Sequence, residues 1–136
     1  YCSEYDEVSS PVDAGLLERR IDHVAGLGTL VLTLTGGEPL LHPKLDQLIA
    51  RAAGHGMACT MISNGYPLTK EWIRRLNDAK LTLLQMSVDN MEPNEFSQKS
   101  WSQIRKKLEL LKAHATFAVN INAVLGSSTL EQTRQV

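Results

Sequence analysis

Four short apolar segments recur along the chain, and each is separated from the next by a stretch with helical periodicity. The segments span residues 29–35, 57–64, 81–89 and 117–125. They are rich in β-branched and long aliphatic side chains, and glycine bounds most of them, which is typical of strands. The pattern therefore predicts four strands that alternate with helices.

The predicted helices have recognisable start signals. Ser10 is a suitable N-cap followed by a proline at the first helical position, and Pro43 is predicted to open the second helix. Thr69 is predicted to cap the third helix, and the longest helix is predicted over about residues 100–113. A serine pair at positions 127–128 is predicted to cap a last helix.

Strands that alternate with helices predict βαβ units and therefore a parallel sheet in an α/β fold. Four such units correspond to half of an eight-fold barrel or to most of a doubly wound sheet, and the pattern alone leaves both open. No low-complexity tract or linker-like stretch interrupts the 136 residues, so we expect one domain's worth of chain.

Polar residues cluster where each predicted strand ends. In parallel α/β folds the ligand site lies at the carboxyl ends of the strands, so these residues belong to one rim. The rim residues are Thr35-Gly36-Gly37-Glu38-Pro39, Ser63-Asn64-Gly65, Ser87-Val88-Asp89, and Asn120 with Asn122. Paired glycines let a backbone approach a ligand closely, and the Glu38 carboxylate suits an ammonium group.

The alternation of side chains along the strands predicts one polar sheet face. Gln85, Ser87 and Asp89 share a face of the third strand, Asn120 and Asn122 share a face of the fourth, and Thr33 and Thr35 share a face of the first. Buried polar groups without partners cost roughly 1–3 kcal/mol each. A polar face therefore predicts a cavity that holds water or ligand. The alternative is that these groups bond one another or cap the helices that follow.

Charge and cysteine content exclude several classes of protein. The net charge of -1 argues against broad attraction to nucleic acid or to an anionic membrane. No apolar run is long enough to span a bilayer. Two cysteines, Cys2 and Cys59, are too few for a disulfide framework. We therefore expect a cytoplasmic protein without a nucleic-acid partner or a membrane segment.

Five segments together resemble one enzyme family. Residues 34–41, Leu-Thr-Gly-Gly-Glu-Pro-Leu-Leu, resemble the GGEP motif of the radical S-adenosylmethionine (SAM) superfamily. Residues 1–2, Tyr-Cys, resemble the end of its CxxxCxxC loop, and residues 63–65, Ser-Asn-Gly, are similar to its Thr-Asn-Gly segment. Residues 85–89 resemble its Ser-x-Asp strand, and residues 120–125 resemble the strand after that. The motifs follow the family's order over nearly the whole chain.

The resemblance implies both the fold and the extent of the domain. It implies that the chain forms part of a (β/α)6 partial TIM barrel of the radical SAM type. Only the last of the three loop cysteines lies within the sequence. We therefore expect residues 1–136 to be an internal fragment of a single radical SAM core domain, with N- and C-terminal parts missing, and the fragment to be inactive alone.

The resemblance also implies a role for each motif. Cys2 would be the third cysteine ligand of a 4Fe–4S cluster whose open iron SAM chelates. The residues expected to contact SAM are Tyr1 at the adenine, Gly36, Gly37 and Glu38 at the methionine ammonium, Ser87 and Asp89 at the ribose or methionine, and Ser63 or Asn64, Asn122 and Val124 along the remaining surface. Thr33, Gln85 and Asn120 are expected to face the substrate.

The implied activity is reductive cleavage of SAM to a 5′-deoxyadenosyl radical, which abstracts hydrogen from an unidentified small-molecule or peptide substrate or adds to it. The implied cofactors are the 4Fe–4S cluster and SAM, and the implied partner is an electron donor such as a flavodoxin or ferredoxin. Cys59 lies in mid-strand and is expected to be a small buried hydrophobe, not a cluster ligand.

Two other functions stay open from the residues alone. One is a cluster-free (β/α) enzyme that binds a phosphate or an amine at the same rim. The other is a non-catalytic binding or scaffolding domain that keeps the barrel fold. A cysteine three residues before Cys2, and another four residues before that, would distinguish the radical SAM enzyme from both.

Overall fold

The computed structural model describes residues 10–88, 91–92 and 99–123. The elements in chain order are α1 (Ala14–Gly26), β1 (Val31–Leu34), a 3-10 helix (Pro39–Leu41), α2 (Leu45–Gly54), β2 (Ala58–Ser63), α3 (Lys70–Asp78), β3 (Leu83–Ser87), α4 (Trp101–His114) and β4 (Ala118–Asn122). Strands and helices alternate as predicted. None of the helices in these ranges is long and apolar enough to cross a membrane.

The four strands form one parallel sheet in the order β1-β2-β3-β4. A doubly wound sheet reverses its strand order at a switch point, and the described strands contain no such reversal. Right-handed crossovers between consecutive neighbours place the connecting helices on the same face of a sheet. This part of the sheet is therefore covered by helices on one face and open on the other, as in a section of barrel wall.

Helices α2, α3 and α4 supply the apolar layer on the covered face. Ile49, Ile73 and Ile104, one from each of these helices, are fully buried. They belong to the same core as Met61 of β2 and Leu84 of β3, which are also fully buried. Burial of each such side chain contributes about 1.5–3 kcal/mol. This layer fixes the strands, and thereby the positions at which they end.

The first helix begins later than the sequence predicts. The prediction of Ser10 as its cap is wrong, because Asp13 caps α1 and its carboxylate accepts a hydrogen bond from the Leu16 backbone N–H at 2.9 Å. The backbone just before this cap is engaged elsewhere. Nε2 of His42 lies 3.0 Å from the Val12 carbonyl oxygen, which ties the segment to the turn that precedes α2.

The starts of the next two helices give one correction and one confirmation. Helix α2 begins at Leu45 and not at Pro43, since the preceding turn is held by the Lys44 N–H, which donates to Nδ1 of His42 at 3.2 Å. Thr69 caps α3 as predicted, and its hydroxyl accepts from the Trp72 N–H at 3.1 Å.

The strands are shorter than the apolar segments that predict them. The first predicted strand, 29–35, loses its start because the Thr29 N–H donates to the Val24 carbonyl in the turn that ends α1, at 3.2 Å. Its end is set by Gly36, whose φ of 132° departs from the strand conformation. The ends of the third and fourth predicted strands and the serine pair at 127–128 lie outside the described residues.

An ion cluster joins α1 to α2. Arg51 donates to both carboxylate oxygens of Asp22, at 2.6 and 2.7 Å, and Nε2 of His55 lies 2.8 Å from the same carboxylate. The hydrogen bonds from Arg51, and then the contact with His55, hold the pKa of Asp22 well below its usual range. The cluster lies on the exposed side of the helical layer.

Candidate functional site

The open face of the sheet carries neutral polar side chains. Strand register aligns Thr33 with Thr60, and one pleat further along it aligns Ile62, Gln85 and Asn120. The remaining open-face residues of the four strands are Val31, Ala58, Leu83, Ser87, Ala118 and Asn122. The described strands thus place no ionisable side chain on this face. The prediction of a polar face is confirmed in part, because aliphatic residues share it.

Two of the predicted substrate-facing residues lie side by side. Gln85 and Asn120 are register partners on β3 and β4, and Ser87 and Asn122 form the next aligned pair toward the rim. Among the described residues, no hydrogen-bond partner is found for these four side chains. Thr33 lies apart from them, since two strands separate β1 from β4 and neighbouring strands are about 4.8 Å apart.

Thr33 has a hydrogen-bond partner that the sequence does not predict. Its Oγ1 lies 2.8 Å from Oγ1 of Thr60, and either hydroxyl can be the donor. Only one proton is needed between the two oxygens, so the other hydroxyl proton is free to point into the open space. Thr60, like the residues predicted to face the substrate, is a polar residue at an alternating position of its strand. Its alignment with Thr33 depends on the register between β1 and β2, which the sequence alone does not give.

The loop after β1 exposes its backbone. Gly36 and Gly37 are both exposed, and a Cβ atom built on either glycine meets no heavy atom within 4 Å. The φ of 132° at Gly36 lies in a region that other residues rarely adopt. The two peptide groups therefore border open space.

The Glu38 carboxylate links the ends of β1 and β2. Its Oε1 accepts from the Ser63 hydroxyl at 2.8 Å, and its Oε2 accepts from the Asn64 backbone N–H at 2.8 Å. Oε1 also accepts from the Leu40 N–H at 2.9 Å, which caps the short 3-10 helix. Hydrogen bonds between a carboxylate and N–H or O–H donors are stronger than neutral ones. The three predicted residues Glu38, Ser63 and Asn64 thus form one connected group.

The turn after β2 is built by side chain to backbone bonds. The Asn64 side-chain oxygen accepts from the Tyr66 N–H at 2.9 Å, and the Ser63 hydroxyl accepts from the Gly65 N–H at 2.9 Å. Asn64 is half-buried at the rim, whereas Ser63 is buried, with 2% of its surface exposed. Of the two residues, Asn64 is the one whose position borders the open side.

Four predicted site residues lie outside the described part of the chain. They are Tyr1, Cys2, Asp89 and Val124. Within residues 10–88, 91–92 and 99–123, no group of three His, Cys, Asp or Glu side chains is placed to hold a metal ion. Cys59 is fully buried in β2, and burial raises the pKa of its thiol to about 11. A metal ligand is a thiolate, so Cys59 is a packing residue as predicted.

A cleft of about 490 Å³ lies elsewhere, beside α3 and α4. It is lined by Lys70, Glu71, Arg74, Asn77 and His114. Its main polar groups are already bonded, since Arg74 pairs with Glu71 and with Asp78, and the Asn77 amide donates to the His114 carbonyl at 2.8 Å. The cleft lies on the helical layer and not on the open sheet face, so it is not the candidate site.

The sequence matches one protein family over almost its whole length. Residues 1–135 match the Radical SAM superfamily. The chain belongs to the radical SAM superfamily. Its members bind a 4Fe–4S cluster and SAM.

Relatives with known activities are enzymes of this superfamily. A GTP 3′,8-cyclase of Aeromonas hydrophila is 36% identical over 115 residues, which are 80% of this chain and 33% of the relative. A PqqA peptide cyclase of Methylocella silvestris is 34% identical over 95 residues, which are 68% of this chain and 26% of the relative. The chain thus spans about a third or less of the length of these relatives.

Solved structures of radical SAM enzymes share the fold. The anSMEcpe structure with bound AdoMet superposes with a TM-score of 0.78 at 22% identity, covering 100% of this chain and 41% of that chain. Streptococcus suis SuiB bound to S-adenosylmethionine gives a TM-score of 0.76 at 20% identity, covering 96% of this chain and 31% of that chain. At this level of identity the likeness establishes the α/β barrel-type fold of the radical SAM chain.

Proposed function

We propose that residues 1–136 are an internal section of a single radical SAM core domain, and that the whole protein binds a 4Fe–4S cluster and SAM and reductively cleaves SAM. One observation carries the proposal. The exposed Gly36-Gly37 backbone and the fixed Glu38 carboxylate stand together at the carboxyl end of β1, beside open space. That is where a parallel α/β fold binds its ligand.

Each motif then has a role toward the cofactors. The Gly36-Gly37 peptide groups and the Glu38 carboxylate suit the methionine ammonium, because one offers carbonyl acceptors and the other a negative charge. Cys2 would be a cluster ligand. The other residues proposed to contact SAM are Tyr1, Asn64, Ser87, Asp89, Asn122 and Val124, with Ser63 behind them.

When bound, the cluster and SAM supply a 5′-deoxyadenosyl radical. The protein's own part is to position the substrate and to shield the site from water. The open sheet face provides the positioning groups. Thr33, Gln85 and Asn120 present hydroxyl and amide groups without formal charge, so they orient a substrate through hydrogen bonds and not through ion pairs.

We propose a peptide as the substrate class. Peptide groups and neutral side chains match a face of amides, hydroxyls and aliphatic residues. A nucleoside triphosphate would instead require cationic side chains, and the described open face offers none. The names of two similar proteins give further support, since one is a PqqA peptide cyclase and the SuiB structure was solved with precursor peptide SuiA.

The proposed chemistry also indicates a partner and a compartment. Reductive cleavage needs one electron from a low-potential donor, for which a flavodoxin or a ferredoxin is suited. Cluster thiolates persist where thiols are kept reduced, as in the cytoplasm. We therefore propose a cytoplasmic protein that receives electrons from such a donor.

The test is anaerobic reconstitution of the whole protein with iron and sulfide, followed by SAM and a strong reductant. We expect 5′-deoxyadenosine, detected by mass spectrometry, and its loss in Cys2→Ala. A well-formed cluster that yields no product, with or without candidate peptides, would argue against SAM cleavage. A protein that assembles no cluster would favour the non-catalytic scaffold or a cluster-free enzyme.

A further inference from the structure

Ser63 breaks the pattern of the strand that it ends. Alternation and register place it with Met86 and Ile121 on the face that the helices cover. The other residues of the described strands on that face are apolar, namely Leu32, Leu34, Cys59, Met61, Leu84 and Val119. A buried hydroxyl is stable only when it is hydrogen-bonded, so its partners account for its presence.

Both partners of Ser63 belong to the rim. The hydroxyl donates to Glu38 Oε1 at 2.8 Å and accepts from the Gly65 N–H at 2.9 Å. A serine hydroxyl has one proton to donate, and here that proton is committed to Glu38. With 2% of the residue exposed, no surface is left from which it can bind a ligand directly.

The Glu38 carboxylate is almost fully occupied by the protein. A carboxylate has about four acceptor positions, and three are filled by Ser63, the Asn64 N–H and the Leu40 N–H. These donors bind both carboxylate oxygens, so the orientation of the carboxylate is fixed before a ligand arrives. Such preorganisation raises affinity because the ordering cost is not incurred on binding.

We infer that Ser63 is a positioning residue: it sets the Glu38 carboxylate from the core side and thereby raises the affinity for SAM without contacting SAM. The inference rests on the proposed function, because it takes SAM as the ligand beside Glu38. It gives Ser63 a different task from Asn64, whose backbone N–H completes the same arrangement from the rim side.

The decisive measurement is SAM affinity of the whole reconstituted protein, by anaerobic calorimetry without reductant. Ser63→Ala should weaken SAM binding by roughly tenfold, the equivalent of one hydrogen bond to a charged group. Ser63→Thr keeps the hydroxyl and should restore affinity to within about threefold of the wild type. Ile73→Val, in the core of α3, serves as a control for lost stability and should bind SAM as the wild type does.

A double-mutant cycle separates positioning from general damage. Glu38→Ala removes the carboxylate to which Ser63 donates. If Ser63 acts through Glu38, Ser63→Ala should weaken SAM binding far less in the Glu38→Ala background than in the wild type. Equal fold-changes in the two backgrounds would overturn the inference, as would a Ser63→Ala variant with unchanged affinity.

A second readout needs no SAM. Hydrogen exchange in the whole protein should show faster exchange of the Asn64 and Leu40 amides in Ser63→Ala, and wild-type protection in Ser63→Thr. Unchanged exchange would overturn the positioning role itself. If the wild-type protein protects these amides but does not bind SAM, the proposed function and the effect on affinity are both overturned. Failure of the positioning role and failure of the proposed function therefore give different results.

Discussion

The guanidinium of Arg75 on α3 donates two hydrogen bonds to the carboxylate of Asp46 on α2, at 2.7 and 3.0 Å. The same guanidinium stacks over the Trp72 ring, with 4.1 Å from its carbon to the ring centroid. Both charged side chains are largely shielded, with 24% of Asp46 and 29% of Arg75 exposed. This ion pair links two helices of the covered face, α2 and α3.

Asp46→Asn should lower the free energy of unfolding at pH 7 by about 1 kcal/mol, because one ion pair with two hydrogen bonds is lost. The bonds from Arg75 hold the pKa of Asp46 below its usual range. Its stabilising effect is therefore full above the unfolded pKa of about 3.9 and is lost as the pH falls through the lower folded value.

Urea unfolding of Asp46→Asn and wild type, at pH 7 and then at steps down to pH 2, tests this. The difference between the two proteins should shrink as the pH falls below about 4. Glu71→Gln, which breaks the far more exposed pair with Arg74, is the control and should cost less. A difference that stays constant with pH would refute the role of the ion pair.

Gly65 and Gly56 should respond differently to alanine. Their φ values are nearly the same, 77° and 79°. A Cβ on Gly56 meets nothing within 4 Å, whereas one on Gly65 would lie 2.1 Å from Cε of the fully buried Met86. Gly56→Ala should therefore cost about 1 kcal/mol for backbone strain alone. Gly65→Ala should cost about 1–3 kcal/mol more, because Met86 must move within a packed core.

Chemical denaturation measures the free energy of unfolding of both variants. Because the two glycines have nearly the same φ, the difference between the two losses gives the cost of displacing Met86. The double variant with Met86→Ala should recover part of the loss at Gly65. Equal losses in Gly56→Ala and Gly65→Ala would show that Met86 yields without cost.

Gln85→Leu should leave the free energy of unfolding within about 0.5 kcal/mol of the wild type, since the side chain has no hydrogen-bond partner among the described residues. SAM affinity should also be unchanged, because Gln85 is proposed to contact the substrate and not SAM. Gln103→Leu on the exposed side of α4 is the matched control for the same chemical change. A clear loss of stability would assign Gln85 a structural role, and a loss of SAM affinity would move it to the cofactor side.

Cys59→Ala should cost about 1 kcal/mol through the lost packing of a small side chain, and it should leave the iron content of the reconstituted protein unchanged. Cys2→Ala should lower that iron content. With its pKa raised to about 11, Cys59 is a thiolate in about one molecule in a thousand at pH 8, so it should resist iodoacetamide in the native state. Iron loss in Cys59→Ala would contradict its role as a packing residue.

The order of elements could be predicted because it depends on local signals. Apolar segments bounded by glycine gave the strands, and Thr69 was recognisable as a cap because a hydroxyl before an amphipathic run satisfies free N–H groups. The same rule failed at Ser10, because the cap of α1 is Asp13, three residues on. The Val12 carbonyl just before that cap contacts His42, which lies far away in the sequence, and no local signal predicts this contact.

The sequence predicts which residues lie at the site, but it does not predict the hydrogen bonds between them. The rim position of Glu38 follows from strand order alone, whereas its three donors depend on how the loop after β1 folds over the end of β2. The burial of Ser63 was not predicted either, because a polar residue at a strand end is usually exposed, whereas Ser63 lies on the helix-covered face of β2. Thr60 was missed for a related reason, since its pairing with Thr33 is a property of register.

A continuous path of contacts runs from the hydrophobic core to the rim. Met86 closes against Gly65, Gly65 donates to Ser63, and Ser63 donates to Glu38. Side chains that fill the core beneath β2 therefore also define the geometry at which a ligand is received. Repacking that part of the core to raise thermal stability should therefore also change the affinity for a ligand at the rim.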